Sequence, residues 1–382
     1  MFYYLSQFVL KWSHGTVWEK RLSGLNVVHY ITVRSAAAAI TALLLSWWLG
    51  PRVIAWLKQL KFGQEYADKA EAGGGIAARL LSKKGTPTMG GILIILTLNF
   101  STLLWAEWNT LIQLTLLSVV VLTGLGFYDD YAKIIQQSGG GAKSNVKLLV
   151  QTLLALFIAF YLWHMHSTRS LITTITIPFF GDPVVTGLGL VGVLITVLTI
   201  VGSSNAVNLT DGLDGLAIGC TLIVSVVFVI LTYVSGNSII AHYLRIPHVP
   251  GAGELTVFCS AMIGGGLGFL WFNCHPAQMF MGDTGSLALG GALGIVAVQV
   301  HQPLLLVIAG GVYVAEAGSV MIQTSWFRFT RKKYGVGRRV FLMAPLHHHF
   351  EKKGWYESQV VMRFYIMGVL CAVVALSALK IR

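Results

Sequence analysis

Ten apolar runs recur along the chain, each close to the length of a membrane-crossing helix. A helix needs about 20 apolar residues to cross a bilayer. Lipid offers no hydrogen-bond partner for backbone polar groups, so each run is predicted to be helical. The runs are residues 33–49, 88–106, 110–127, 147–163, 188–204, 216–235, 255–272, 286–300, 304–322 and 359–380. They predict an all-α integral membrane protein of about ten transmembrane helices, with residues 1–382 forming a single polytopic domain.

The scarcity of charge supports this interpretation. Only 11% of the residues are charged, whereas 55% are hydrophobic. A soluble protein carries about 25% charged residues, so this chain could not cover a water-facing surface of its size. Its four cysteines stand singly, without a C-x-x-C pair, and indicate neither a disulfide framework nor a thiolate metal site.

Basic residues set the predicted orientation. A net charge of +12 would suggest nucleic-acid binding in a soluble chain. Here seventeen of the 27 Lys and Arg residues fall in one set of alternate loops, and the positive-inside rule places those loops in the cytoplasm. Both termini are therefore predicted to be periplasmic, the polar clusters lie on the cytoplasmic face, and no nucleic-acid partner is expected.

Two adjacent carboxylates, Asp129 and Asp130, end the third apolar run in the segment LTGLGFYDDYAK. Carboxylates at a membrane edge are costly and tend to be functional, although a solvated helix end paired with Lys133 is an equal alternative. Neighbouring helical residues point about 100° apart. The two carboxylates are therefore expected to do different jobs, such as one facing a metal and one facing substrate.

A second polar stretch, NAVNLTDGLDGLA, separates the fifth and sixth runs. Two amides and two acids recur there at every third residue, namely Asn205, Asn208, Asp211 and Asp214. This stripe would drift by about 60° per step on an α-helix but would align in 3₁₀ geometry. Such residues also cap turns, but four of them exceed what capping needs. The stretch is therefore predicted to bind a ligand, with Gly212 and Gly215 permitting close backbone approach.

A third stretch, WFNCHPAQMFMGDTGS, precedes the eighth run. Asp283 could cap the next helix, or its oxygens could hold a hard cation. Phe280 could be a core residue or a stacking plate for a planar base, and Asn273 flanks the same stretch. Both interpretations remain open from these residues alone.

Three consecutive histidines, His347 to His349, lie in the most basic inner loop, in APLHHHFEKKGW. Adjacent histidines cannot all point at one ion, so a shared metal site is not expected. They are either surface residues or donors to phosphate in a basic pocket. Glu316 in the ninth run either marks a broken helix that lines a lipid groove or makes a helix–helix hydrogen bond.

The predicted inner face therefore combines acids and histidines with Lys83, Lys84, Lys133 and Lys147. This set favours Mg²⁺-assisted chemistry on phosphates, because Mg²⁺ prefers one or two carboxylates together with substrate phosphate oxygens. A G-x-x-x-x-G-K-[ST] loop is absent, which excludes a P-loop ATPase. With the site surrounded by membrane helices, a lipid-borne phosphate is the expected second substrate.

Five segments of the sequence resemble the motifs of a known family. They are SKKGTPTMGG, GFYDDYAK, GSSNAVNLTDGLDGLA, GFLWFNCHPAQMFMGDTGSLALGG and APLHHHFEKKGW. Over nearly the whole chain and in order, the sequence resembles the bacterial phospho-N-acetylmuramoyl-pentapeptide transferases. The acidic motifs resemble those of a wider superfamily that joins sugar phosphates to polyprenyl phosphates, and the triple histidine followed by Phe-Glu resembles the muramoyl-pentapeptide branch.

The resemblance implies a Mg²⁺-dependent reaction in the bacterial inner membrane. The phosphate of undecaprenyl phosphate attacks UDP-N-acetylmuramoyl-pentapeptide, UMP leaves and lipid I forms. A membrane-lipid partner and a homodimer are also implied. One alternative is a related UDP-N-acetylglucosamine:polyprenyl-phosphate transferase, against which the histidine run argues. Another is a secondary transporter, whose site would lie near the bilayer midplane, whereas these acids fall at the inner rim.

The resemblance also implies roles for numbered residues. The implied catalytic residues are Asp129, Asp130, Asp283 and His348, with Asp283 as the Mg²⁺ ligand. The implied substrate-binding residues are Lys83, Lys84, Thr88, Lys133, Asn208, Asp211, Gly212, Leu213, Asp214, Asn273, Phe280, His347 and His349. Lys83 and Lys84 are alternatives for one nucleotide-binding lysine, and Phe280 is expected near the uracil.

Overall fold

The structure, a computed structural model, describes residues 1–15, 18–60, 85–135, 141–180 and 185–380. Lys83 and Lys84 lie outside these residues. The described part of the chain is mostly helical, and its one sheet is a two-stranded antiparallel hairpin. All four cysteines are free thiols.

The elements follow one another in a simple order along the chain. They are α1 (Phe2–Ser13), α2 (Glu19–Leu22), a 3₁₀ segment (Ser23–His29), α3 (Ile31–Gln59), α4 (Gly91–Trp105), α5 (Thr110–Ile135), α6 (Ser144–His164), α7 (Ser170–Thr173), β1 (Thr174–Ile175), β2 (Val185–Thr186), α8 (Leu190–Thr210), α9 (Leu216–Gly236), α10 (Ser238–Tyr243), α11 (Gly253–Asn273), α12 (Gly282–Gln299), α13 (Pro303–Ala309), α14 (Gly311–Tyr334), α15 (Leu346–Lys352) and α16 (Glu357–Ser377).

Seven of the described helices are long and apolar enough to cross a membrane, judged by length and composition. They are α3, α5, α6, α8, α9, α11 and α16. Helices α13 and α14 qualify together but bend by 85° at their junction, which gives a broken span or a re-entrant loop. The runs 88–106 and 286–300 fall on the shorter helices α4 and α12. The protein is therefore a predominantly helical, multi-span membrane protein.

Helices α11 and α12 form the centre of the bundle. Every residue from Thr284 to Gln299 is buried, and α12 packs against both α5 and α8. A Cβ on Gly290 or Gly294 would collide with the backbone of α8, so small residues permit this close approach. The packing places the start of α12, with Asp283, between the ends of α5 and α8.

A buried ion pair lies at the opposite end of the central helices, where α11 begins. The guanidinium of Arg34 binds the carboxylate of Glu254 through two hydrogen bonds, with Nη2 2.7 Å from Oε1. The backbone N–H of Glu107 donates to the same carboxylate over 2.7 Å, and Tyr3 lies with its ring centroid 4.6 Å from the guanidinium carbon. These contacts join α1, α3, α11 and the segment between α4 and α5.

Candidate active site

Three carboxylates meet where α5 ends and α12 begins. Asp129 and Asp130 lie in the last two turns of α5, and Asp283 is the second residue of α12. One ligand oxygen from each lies within 4.8 Å of the other two. We call Asp129, Asp130 and Asp283 the carboxylate cluster. The helix continues to Ile135, so the acidic pair belongs to its final turns rather than following its end.

Two lysines enter the carboxylate cluster from different helices. Nζ of Lys133 lies 2.6 Å from Oδ2 of Asp129 and 3.1 Å from Oδ2 of Asp283. Nζ of Lys147, in the first turn of α6, lies 2.7 Å and 2.6 Å from the same two oxygens. Three carboxylates therefore face two ammonium groups, which leaves one negative charge in excess if all five groups are ionised.

The two neighbouring aspartates make different contacts, as the 100° rotation between them predicts. Asp130 caps α12: its Oδ2 accepts from the Thr284 backbone N–H at 2.9 Å and hydroxyl at 2.7 Å, and its Oδ1 accepts from the Asp283 N–H at 3.2 Å. Asp129 instead accepts from the backbone N–H of Ala142 at 2.7 Å and pairs with the lysines. Asp130 therefore fixes where Asp283 stands.

The segment before α4 closes one side of the cluster. The Phe280 N–H donates to Pro87, and the Gly90 N–H donates to the Phe280 carbonyl, each over 2.8 Å. This pairing brings Thr88 to the turn at Gly282, whose φ of +72° is readily adopted by glycine. A Cβ on Gly282 would collide with Asp130 and touch the Thr88 hydroxyl. That hydroxyl is buried and has no hydrogen-bond partner among the described residues.

The turn after α8 supplies an amide and an acid to the same place. Nδ2 of Asn208 donates to Oδ1 of Asp283 and to Oγ of Ser286, each over 2.9 Å. Asp211 follows the end of α8 and accepts a hydrogen bond from the backbone of Gly282. Burial and the nearby carboxylates of Asp283 and Asp130 raise the pKa of Asp211 to about 8.

Asp214 faces a different direction. Its Oδ2 accepts from the Ala277 N–H at 3.2 Å and lies 3.1 Å from Nδ1 of His275, while its own N–H donates to Glu357 over 2.9 Å. Asn273 accepts from the Gly215 N–H at 3.0 Å and donates to the Met279 carbonyl at 2.8 Å. These contacts hold the segment that leads to the half-buried Phe280.

The predicted stripe of four polar residues therefore does not act as one unit. Asn205 donates to Gln151, Asn208 and Asp211 reach the start of α12, and Asp214 contacts the segment after α11. The reason is geometric, because α8 remains α-helical up to Thr210 and the chain then turns. A three-residue spacing rotates about 60° per step on that helix, so 3₁₀ alignment does not occur.

The three histidines lie at the start of α15. Nδ1 of each imidazole faces a different neighbour: Glu316 at His347, Glu351 at His348 and the backbone N–H of Leu342 at His349. The three rings are therefore oriented by different parts of the chain. A Cβ on Gly212 would collide with Nε2 of His347, so the histidine segment packs on the turn that carries Asp211 and the buried Leu213.

Sequence reasoning left several contributors unassigned. Lys147 was counted among the inner-face lysines, but nothing in its spacing indicated that it would bridge Asp129 and Asp283. His275 and Glu357 were not identified; they lie with Asp214 in a second group whose potential ligand atoms are within 4.8 Å of one another. An exposed His followed by Pro in a polar loop, as at His275, does not by itself indicate a binding or metal site.

The helical membrane fold and the carboxylate–lysine cluster define a polytopic membrane protein with a candidate site for a metal ion and phosphate. The Glycosyl transferase family 4 model matches residues 112–301, which contain Asp129, Asp130, Asn208 and Asp283. Signature 1 of the Phospho-N-acetylmuramoyl-pentapeptide-transferase family matches residues 83–95. This second match includes Thr88 and the backbone that pairs with Phe280.

Three bacterial relatives carry the name phospho-N-acetylmuramoyl-pentapeptide-transferase. The proteins of Methylacidiphilum infernorum and Granulibacter bethesdensis are each 49% identical over 359 residues, and that of Opitutus terrae is 47% identical over 360. Each alignment covers 94% of this chain and 96% of the relative. The chain belongs to the phospho-N-acetylmuramoyl-pentapeptide-transferase family, and it is a transferase.

Proposed function

We propose that this protein transfers phospho-N-acetylmuramoyl-pentapeptide from its UDP-linked form to undecaprenyl phosphate, giving lipid I and UMP. This is the first membrane step of peptidoglycan synthesis. The observation that carries the proposal is the carboxylate cluster with its two lysines, in a membrane chain of this family. An excess of acids among cations suits the crowding of two phosphate substrates around a metal ion.

Mg²⁺ fits the carboxylate cluster by the chemistry of its donors. The three acids offer only oxygen atoms, which hard cations prefer. Asp283 is the most accessible of the three, with 14% of its side chain exposed, whereas Asp129 and Asp130 are almost fully buried. We assign Asp283 as the metal ligand. A bound Mg²⁺ would act as a Lewis acid that offsets the negative charge of the phosphates.

The two lysines and Asp129 form the electrostatic support of the site. Both ammonium groups lie between Asp129 and Asp283, so each can donate to a phosphate oxygen while Asp129 holds it in place. Fixed cations of this kind stabilise charge without reorganising during the reaction. Asp130 acts through the backbone and hydroxyl of the first turn of α12, and it keeps Asp283 oriented.

Direct attack by the lipid phosphate accounts best for these contacts. A phosphate monoester has a second pKa near 6 and is mostly dianionic at pH 7, so its oxygen can attack the sugar-linked phosphorus with little help from a base. The bond from that phosphorus to the UMP oxygen breaks, and UMP leaves with the electron pair. Asp130 is an unsuitable nucleophile because its oxygens already accept three hydrogen bonds.

The nucleotide is assigned to the surface beside the cluster. Phe280 offers a half-buried ring on which uracil can stack, and Asp214 with Asn273 holds the segment that carries this ring. Gly212 and Leu213 provide backbone for close approach, and Asn208 and Asp211 separate this surface from Asp283. Lys83 or Lys84 completes the nucleotide contacts in this proposal. His347, His348 and His349 are assigned to the phosphate side.

The membrane arrangement is part of the proposal. Ten spans, periplasmic termini and a cytoplasmic site in the bacterial inner membrane follow from the apolar runs and the seventeen basic residues of one loop set. A homodimer is expected from the family resemblance. Labelling of single introduced cysteines from each side of sealed vesicles tests the orientation, and light scattering of the purified protein tests the dimer.

UMP release by the purified protein tests the function. Undecaprenyl phosphate is supplied with UDP-N-acetylmuramoyl-pentapeptide or with UDP-N-acetylglucosamine, with and without Mg²⁺. Release only with the muramoyl donor and only with Mg²⁺ is expected. Release only with the N-acetylglucosamine donor would assign the chain to the related transferase. Absence of release with both donors, together with solute uptake by vesicles, would favour a transporter.

A further inference from the structure

A buried acid–histidine pair connects the bent helix to the turn after α8. Glu316 lies in α14, five residues after the helix begins beyond its 85° bend. Its side chain is fully buried, and His347 is 1% exposed. The backbone N–H of His347 donates to Oε1 of Glu316 over 3.2 Å, and Nδ1 of the same histidine lies 3.2 Å from Oε2. Nδ1 and Oε2 lie at ion-pair distance without meeting hydrogen-bond geometry, so the carboxylate binds the backbone of His347 and faces its ring.

The group that faces Nδ1 of a histidine determines which of its ring nitrogens carry a proton. A carboxylate only accepts, so the carboxylate of Glu316 beside Nδ1 favours the imidazolium, in which both Nδ1 and Nε2 of His347 carry a proton. At His349 the polarity is reversed, because the backbone N–H of Leu342 donates to Nδ1 over 3.1 Å. That ring must carry its proton on Nε2 when it is neutral. His347 and His349, two residues apart, therefore differ in what faces Nδ1: a carboxylate at His347 and an N–H donor at His349.

The other nitrogen of His347 is placed against the substrate turn. Nε2 lies so close to Gly212 that a Cβ there would collide with it, and it has no hydrogen-bond partner among the described residues. A buried polar atom without a partner costs free energy. Its position beside Gly212 places it next to the turn assigned to substrate, where the Nε2–H of the protonated ring would donate to a phosphate oxygen.

We propose that Glu316 is a positioning residue that fixes the ring of His347 so that Nε2 meets a phosphate oxygen of the substrate beside Gly212. The inference rests on the proposed function and adds a residue to it. Glu316 does not touch substrate and acts only through His347. Because Glu316 follows the bend between α13 and α14, the orientation of the bent helix also sets the orientation of this histidine.

A purely structural helix contact is the competing explanation of the pair. A structural contact would affect folding and leave the remaining activity of folded protein unchanged. A positioning contact would affect catalysis through His347 alone. Substitutions that keep shape distinguish the two: Glu316→Gln removes the charge, and His347→Asn keeps a donor near the Nδ1 position but removes Nε2.

The test is a double-mutant cycle on UMP release by purified full-length protein. Each single variant, Glu316→Gln and His347→Asn, is expected to lower kcat/KM by about 10- to 100-fold, as carboxylate partners of functional histidines commonly do. In the His347→Asn background, Glu316→Gln is expected to have an effect of no more than about twofold. Independent, multiplying losses would overturn the proposal.

A pH profile gives a second readout. Glu316, His348 and Glu351 are the ionisable groups that act on His347, whose pKa is lowered chiefly by burial and raised by Glu316. Removing that opposite charge disfavours the imidazolium, so the alkaline limb of kcat/KM is expected to move to lower pH in Glu316→Gln. An unmoved limb would contradict the positioning role.

Glu254→Gln is the matched control, because Glu254 is also a buried, ion-paired carboxylate but lies at the other end of the bundle. It is expected to lower thermal stability without moving the pH profile. A shift in this control equal to that of Glu316→Gln would refute the inference. Wild-type UMP release in the same experiment keeps the two claims separate, since its absence would refute the proposed function itself.

Discussion

Two groups of buried charge stand at opposite ends of the central helices and differ in how completely they are neutralised. At the start of α11, one guanidinium binds one carboxylate through two hydrogen bonds, and the backbone N–H of Glu107 adds a third to that carboxylate. At the start of α12, three carboxylates face two ammonium groups. The Arg34–Glu254 group pairs one cation with one anion, whereas the carboxylate cluster has one more acid than lysine and reaches the surface at Asp283.

The difference separates a structural ion pair from a reactive site. Removing one partner of a buried pair leaves an uncompensated charge and destabilises the fold. A cluster with surplus carboxylate can take a cation and then phosphate, so its charges act on substrate as well as on stability. Buried charge alone therefore does not indicate function in this chain. A functional site is indicated where buried acids outnumber their cationic partners and one of the acids reaches the surface.

The largest expected effect is loss of the metal ligand. Asp283→Asn should lower kcat for UMP release by about 10³-fold or more, because a transition-state charge loses its main stabilisation. The variant should remain folded, since Asp130 would still accept hydrogen bonds from the backbone N–H of residue 283 and from both groups of Thr284. Activity within tenfold of wild type at saturating Mg²⁺ would remove Asp283 from the metal site.

Loss of one bridging lysine should have the next largest effect. Lys147→Met removes the ammonium that lies 2.7 Å from Asp129 and 2.6 Å from Asp283. We expect kcat to fall by about 10²-fold, since one fixed cation is lost from the phosphate site. Lys143→Met, at the exposed residue just before α6, is the matched control and should stay near wild type. Equal losses in both variants would mean that Lys147 contributes only general basic charge.

Substitution in the Arg34–Glu254 ion pair should lower the stability of the fold and leave catalysis unchanged. Glu254→Gln leaves Arg34 buried beside a neutral amide and should lower the free energy of unfolding by about 3–5 kcal/mol, measured as a lower thermal midpoint in detergent. The kcat per folded molecule should not change. A loss of kcat without a loss of stability would erase the distinction between the two charge groups.

The smallest expected effect concerns pH. Because burial and the carboxylates of Asp283 and Asp130 raise the pKa of Asp211 to about 8, the stability linked to protonated Asp211 is present below its unfolded pKa near 4. It is lost as pH rises from about 4 to about 8. In EDTA, Asp211→Asn should therefore raise the thermal midpoint by about 2–4 °C more at pH 8 than at pH 5. A larger gain at pH 5 would contradict the assigned sign.

The sequence could predict the helices because membrane composition constrains them strongly. All ten apolar runs fall on helices, and the acidic motifs at Asp129, Asp130 and Asp283 meet as a single cluster. What could not be predicted depends on side-chain direction between distant segments. Spacing alone did not separate Asp214, which holds the segment after α11, from Asp211, which faces Gly282.

Contacts between residues far apart in the chain could not be predicted from the sequence either. Lys147 bridges two acids that lie in different helices, and Glu316 meets His347 across 31 residues. Neither pairing has a local signal, since both arise from how α6 and α14 pack against their neighbours. The bend between α13 and α14 had a hint in Gly310 and Gly311, but its angle of 85° comes from the packed structure.

Manganese binding tests the central claim most directly, because Mn²⁺ can replace Mg²⁺ and be counted by electron paramagnetic resonance. The wild type and the Glu254→Gln variant are each predicted to bind one tightly held Mn²⁺ per chain, and Mg²⁺ should displace it. The Asp283→Asn variant is predicted to lose this ion while remaining folded. Full Mn²⁺ binding by Asp283→Asn, or its loss in Glu254→Gln at a temperature where that variant is folded, would contradict the account.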